Sequence, residues 1–253
     1  FELEIKKRNG TTKQFSVKGL EYQTIFDKYD LEKAGTQRTN AKKPLQFELK
    51  ETIAFLKVKS FHPGQIKDAR QNFKKFFKQS FKQISKAGID KLIIDIRGNG
   101  GGHESVFIDL FSYLIDSPFR AYRQLSTRTN KIQNPEFYLE QNEIPELEKW
   151  FNEELIKRES IFLVKNEIGI QKTKPKEPTF KGQLIILIDG KTSSAAGDFS
   201  GLVKGFDRAT FVGEETGGNP YINTAGDRLT LVLPNSGLQI IIPTLLYIIE
   251  TKG

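Results

Sequence analysis

Lys181–Pro220 reads KGQLIILIDGKTSSAAGDFSGLVKGFDRATFVGEETGGNP. The run Leu184–Ile188 is short, apolar and rich in β-branched side chains, and Asp189-Gly190 stops it. It reads as a fully buried strand. Ala195, Phe199, Leu202, Val203 and Phe206 then recur at the spacing of one helix face. A second short strand, Ala209–Val212, leads into the turn-rich GEETGGNP. Ser193 and Ser194 therefore stand where a strand ends and a helix begins. The first amide N–H groups of a helix lack intrahelical partners, and the helix dipole favours negative charge there. An acyl-transfer nucleophile needs such a place. An ordinary N-cap needs it too, since serine is a preferred cap, and the pattern is not the G-x-S-x-G elbow. This segment alone leaves both readings open.

A second stretch bears on the choice. In Lys91–Glu104, KLIIDIRGNGGGHE, the strand Leu92–Ile96 runs into Arg97-Gly98-Asn99-Gly100-Gly101-Gly102. Val106, Phe107, Leu110, Phe111 and Leu114 follow at helical spacing. Glycines at a strand end let the backbone approach a ligand closely, and successive N–H groups there can form an anion-binding nest. A dinucleotide fingerprint would need a third glycine where His103 stands, and a P-loop would need Gly-Lys-Ser/Thr. Neither is present, and a plain tight turn remains open.

Together the pieces LIIDIRGNGGG, IILIDGKTSSAAGDF, RATFVGEETGGNP and LVLPNSGLQIIIPT, in that order within Leu45–Thr244, resemble the S41 peptidases. These are the C-terminal processing (tail-specific) proteases, the tricorn core protease and their bacterial relatives. The resemblance implies an α/β fold: a ClpP/crotonase-like core of βαβ units, often preceded by a PDZ domain. By position, Ser194 matches the nucleophile, with Ser193 as the fallback. The Ala195 N–H matches one oxyanion donor, and Gly101 or Gly102 the other. Processing proteases take a lysine base from the turn after G-E-x-T-x-G, and that position is Asn219. The glutamate that usually follows the nucleophile segment is Gly197. Tricorn-like members use an upstream histidine and a distal glutamate. The two histidines here are His62 and His103. His103, beside the glycine run, is the candidate base. His62, in SFHPG, reads as a turn residue, and Glu250 falls in the right part of the chain with no motif to fix it.

On this resemblance residues 1–20 are the closing strands of a PDZ-like domain whose remainder lies upstream, 21–44 a linker, and 45–253 the peptidase core with an insertion at 119–178. Phe1–Val17 supports the first part directly, since it alternates around Asn9-Gly10 as a hairpin does. Thr52–Val58 reads as the first core strand. Gln65–Lys86 reads as one amphipathic helix, its lysines the solvated face of a packed helix rather than a nucleic-acid stripe. Glu146–Arg158 reads as a helix. Leu229–Leu233 and Gln239–Ile242 form a hairpin that, in the family, lies beside the peptide.

The 253 residues include no cysteine, which excludes disulfides and thiolate metal sites, and two histidines give no clustered metal set. No cofactor is implied. The net charge of +8 bears on solubility and non-specific binding; it is compatible with envelope surfaces, acidic peptides or a C-terminal carboxylate. The expected partner is a polypeptide substrate, with no nucleic acid and no membrane span. The resemblance implies a periplasmic or envelope location. A serine endopeptidase is the first reading. A peptide-binding scaffold without a base, and a crotonase-type acyl-CoA enzyme, are the competitors.

Overall fold

The computed structural model describes residues 2–6, 11–16 and 43–252. The chain divides into two units, Phe1–Lys42 and Lys43–Gly253. In the first, β1 (Glu2–Lys6) and β2 (Thr12–Ser16) pair antiparallel, with Glu2 opposite Ser16 and Lys6 opposite Thr12. The alternation predicts this hairpin. The Asn9-Gly10 turn, and the linker up to residue 42, lie outside the described residues.

The second unit holds two five-stranded sheets. The first contains β3 (Leu45–Lys50), β4 (Ile53–Val58), β5 (Lys91–Asp95), β9 (Gln183–Ile188) and β10 (Thr210–Gly213), in the order β10-β9-β5-β4-β3. Its strands are parallel except the edge strand β3. Leu92 stands beside Leu184 and Ile94 beside Ile186, all buried. Such continuous apolar runs are what a sheet covered on both faces requires. The second sheet is antiparallel throughout. It contains β6 (Tyr122–Thr127), β7 (Leu155–Arg158), β8 (Ile161–Val164), β11 (Ile222–Val232) and β12 (Gln239–Ile249), in the order β11-β12-β6-β8-β7.

The helices are α1 (Pro63–Asp68), α2 (Phe73–Lys86), α3 (Glu104–Phe111), α4 (Ile144–Glu154) and α5 (Ala195–Gly205). Phe61, Phe107 and Phe199 meet at 5.7–6.5 Å between ring centroids and lock α3 and α5 together. Among the described residues no helix is long and apolar enough to cross a membrane.

Three expectations change. The first core strand is β3, not Thr52–Val58; β3 pairs antiparallel with β4, Leu45 opposite Val58. The single helix over 65–86 is two. Arg70 takes a left-handed φ of 57°, and the Asn72 side chain caps α2 by accepting from the Lys75 N–H at 2.9 Å. Glu146–Arg158 is helical only to Glu154, and the rest is β7. Segment 119–178 contributes β6, β7, β8 and α4. The lysines of α2 are exposed and Phe77, Phe81 and Ile84 buried, as a packed helix requires.

Candidate active site

The C-terminal ends of β5 and β9 lie side by side, so the two loops that follow them meet. The Ile96 N–H donates to the Leu187 carbonyl at 3.0 Å, and the Ser193 N–H to the Asn99 carbonyl at 3.1 Å. In open α/β sheets this edge is where ligands bind. Asn99, fully buried, ties three segments together. Its Nδ2 donates to the Val58 carbonyl at 3.1 Å, its Oδ1 accepts from the Gly101 N–H at 2.9 Å, and its own carbonyl holds Ser193. Thr192, also fully buried, donates from Oγ1 to the Ile96 carbonyl at 3.2 Å. These two side chains set the bend between β9 and α5. The sequence reading missed both; an amide set within a glycine run was the available signal for Asn99.

The bend is strained at one residue. Ser194 has φ 51° and ψ −132°, a region that L-residues rarely occupy and that costs about 1–3 kcal/mol. Its side chain makes no cap hydrogen bond, and its hydroxyl has no hydrogen-bond partner among the described residues. A cap would have an extended backbone and an engaged oxygen. Ser194 has neither, which separates it from the ordinary-cap reading. Its backbone makes instead a sharp strand-to-helix elbow, without the flanking glycines of the G-x-S-x-G motif. Ser194 lines a cavity of about 530 Å³; Ser193 does not.

The glycine run presses against this turn. A Cβ on Gly101 (φ 101°) would stand 2.7 Å from Ser194 Cβ and 2.9 Å from the Ala195 nitrogen. A Cβ on Gly102 (φ 144°) would stand 2.1 Å from the carbonyl carbon of Phe61, with which Gly102 forms an isolated β-bridge. The Gly101 N–H is engaged by Asn99. The N–H groups of Gly102 and Ala195 have no partner among the described residues, and both residues line the cavity with Ser194.

His103 lines the same cavity. It caps α3, with Nδ1 3.2 Å from the Ser105 nitrogen and 2.9 Å from Ser105 Oγ. Glu104 Oε2 lies 3.8 Å from that Nδ1. His62 caps α1 through the Gln65 N–H at 3.3 Å and does not line the cavity.

Asp198, one helical turn beyond Ser194, is a residue the sequence reading did not single out. It lines the cavity and is only 4% exposed. Its Oδ2 accepts from the Tyr122 hydroxyl at 2.8 Å and from Asn223 Nδ2 at 3.0 Å. Burial pushes its carboxyl up to about 6, against the two hydrogen bonds and helped by the nearby Glu104. The folded chain thus holds this proton more tightly than the unfolded one. The associated stability is complete below the ordinary value of 3.8 and is lost as pH rises through about 6. Wild type should lose stability relative to Asp198→Asn across that window, by on the order of 2–3 kcal/mol. Denaturant unfolding at a series of pH values measures it; parallel profiles would contradict it.

Comparisons with known proteins bear on this geometry. Residues 52–249 match the model of peptidase family S41. The chain belongs to that family. Among solved structures, mature CPAF aligns at 18% identity and a TM-score of 0.50, over 98% of this chain and 59% of that one. A serine-to-alanine mutant of CPAF aligns at 16% identity and a TM-score of 0.53, over 97% and 59%. A photosystem II D1 C-terminal processing protease aligns at 17% identity and a TM-score of 0.46, over 81% and 43%. At these identities the likeness is one of fold, and this chain spans less than two thirds of each neighbour. Among curated proteins no match is found.

Within this S41 chain the departures at 197 and 219 have physical reasons. A Cβ on Gly197 would stand 3.3 Å from the Gly218 Cα, a tight approach of α5 to the GEETGG turn. Asn219 Oδ1 accepts from the Tyr221 and Ile222 N–H groups at 2.8 and 3.2 Å, holding a turn. Glu250 pairs with Arg120 at 3.2 Å and does not line the cavity.

Proposed function

We infer that this chain is the catalytic core of a serine endopeptidase acting on extended polypeptides. The observation that carries the reading is the strained backbone of Ser194, which brings a hydroxyl with no partner among the described residues to the same cavity as the N–H groups of Gly102 and Ala195. In this reading Ser194 Oγ attacks the scissile carbonyl. The oxygen of the tetrahedral intermediate accepts from Ala195 and Gly102. Donors of this kind act where charge develops, and losing one typically costs roughly 10²–10³ in kcat.

His103 is the base. To act through Nε2, His103 must carry its proton on Nδ1 and donate it to Ser105 Oγ; this gives up the cap bond in which Nδ1 accepts from the Ser105 N–H, and leaves the Nε2 lone pair to take the serine proton and return it to the leaving amine. An extended substrate has a place to lie. Strand β11 is an edge strand of its sheet, bridged on its outer side at Leu231 by Tyr138, and its register shifts between Ala225 and Arg228, where it borders the cavity. Bulges of this kind cluster beside active sites, and an unpaired edge accepts an added strand. An envelope location accords with such a substrate.

His103→Ala should lower kcat on an unfolded protein substrate by about 10²–10⁴. Unchanged turnover in His103→Ala would remove His103 from the mechanism. One observation favours a second reading, a peptide-holding scaffold: the lysine position is taken by Asn219, bound into a turn. A scaffold would bind unfolded polypeptide with unchanged affinity after Ser194→Ala and hydrolyse none.

A further inference from the structure

Thr244 is the residue of β12 that faces the bulge in β11. Ala225 stands opposite Leu245 and Arg228 opposite Pro243, so Gly226 and Asp227 together face Thr244 alone. Gly226 takes a left-handed φ of 79°, the conformation that lets an extra residue enter a strand. Thr244 Oγ1 occupies the place of a side chain at 226: a Cβ there would stand 2.8 Å from it. Thr244 also lines the cavity that holds Ser194. Its Oγ1 is buried and has no hydrogen-bond partner among the described residues. A buried hydroxyl without a partner costs the folded chain free energy, and native structures keep few of them.

A second cavity, of about 270 Å³, is lined by Ile242, Pro243 and Thr244 of β12 and by Thr129 and Ile132 beyond the end of β6. Thr244 is the lining residue that the two cavities share. A polypeptide running from the first cavity into the second therefore carries its main chain past Thr244. Main-chain amides that leave water need partners, and Pro243 has no N–H to offer one. We propose that Thr244 binds the substrate main chain, its Oγ1 pairing with one backbone amide of such a polypeptide; this rests on the peptidase reading of Ser194 and adds a binding residue to that site. Gly226 and Asp227 stand outside the β11–β12 register, so this short span can draw back from Oγ1 without breaking the ladder. The free protein bears the cost of the open hydroxyl and the complex is relieved of it.

The test has two arms. Thr244→Val keeps the outline of the side chain and removes the hydroxyl. It should raise the denaturant midpoint of the free protein. It should also lower kcat/KM on an unfolded protein substrate by about tenfold, the scale of one hydrogen bond. The loss should fall on KM rather than kcat, since a main-chain contact away from the reacting atoms binds ground and transition states alike. Thr244→Ser, which keeps the hydroxyl, should recover most of it. A merely structural threonine would show the opposite pairing, with midpoint and activity falling together. That pairing, or a Thr244→Val protein that cuts as well as wild type, overturns the proposal and leaves the peptidase reading intact.

The second arm needs no turnover. Ser194→Ala protein is titrated with a fluorescent peptide drawn from the unfolded protein substrate, and with a series in which one amide at a time is replaced by an ester, followed by anisotropy. An ester lacks the N–H and has a weaker carbonyl acceptor. One ester position should weaken binding by about tenfold, and the same position should cost nothing once Thr244→Val is added. That pattern supports the proposal even where wild type cuts nothing, which would count against the peptidase reading alone. Ester losses of equal size with and without the Thr244 hydroxyl overturn the proposal.

Discussion

Ser194→Ala is expected to remove hydrolysis of an unfolded protein substrate almost entirely, by roughly 10⁵–10⁶ in kcat. Its stability should stay within about 0.5 kcal/mol of wild type. The two outcomes belong together. The hydroxyl has no hydrogen-bond partner among the described residues, so removing it leaves packing and hydrogen bonds as they were, while alanine keeps the Cβ and hence the strain at φ 51°. Ser194→Gly separates strain from chemistry further. Glycine occupies that backbone region freely, so this variant should be as inactive as alanine but more stable, by about 1 kcal/mol. Kinetics on an unfolded substrate and denaturant unfolding of the three proteins measure both. Equal stability of the glycine and alanine variants would mean that the elbow is not strained.

Gly102→Ala should cost on the order of 4 kcal/mol of stability. A Cβ at this position would stand 2.1 Å from the carbonyl carbon of Phe61, 2.2 Å from the His62 nitrogen and 2.4 Å from the Phe61 oxygen. All three are backbone atoms with no flexible end to move aside. Relief requires opening the bridge, with the Phe61 N–H bond to Gly101 and the His103 N–H bond to Phe61, both 2.9 Å. The same movement would displace the Gly102 N–H and the cap that orients His103, so activity should fall beyond what lost stability explains. Gly100→Ala is the control. Its Cβ would meet nothing within 4 Å, and its stability should stay within about 0.5 kcal/mol. Denaturant midpoints of the two variants compare them directly, and equal midpoints would contradict the collision.

The parallel sheet was legible because its strands carry a strong local signal. Leu92–Ile96 and Leu184–Ile188 are apolar runs stopped by turn residues, and α5 follows at helical spacing. The antiparallel sheet was less so. In β6, YRQLST, the inward positions are marked by few apolar residues, and β7 continues the pattern of α4 without a breaker. The interruption at Arg70 was hidden because Ile66, Ala69 and Phe73 keep helical phase across it, although Asn72 is a good cap and was there to be read.

At the site, position was legible and conformation was not. The sequence put Ser194 at a strand–helix junction, but nothing beside it signals a positive φ. Asp198 read as one more charge on a helix. Its partners Tyr122 and Asn223 lie 76 and 25 residues away, and only the tertiary structure brings them to it.

Labelling with an active-site fluorophosphonate, followed by mass spectrometry of the modified peptide, tests the central claim most directly. The account predicts a single adduct on Ser194, absent from Ser194→Ala and retained in Ser193→Ala. No adduct on folded wild-type protein, or one that persists in Ser194→Ala, would contradict it.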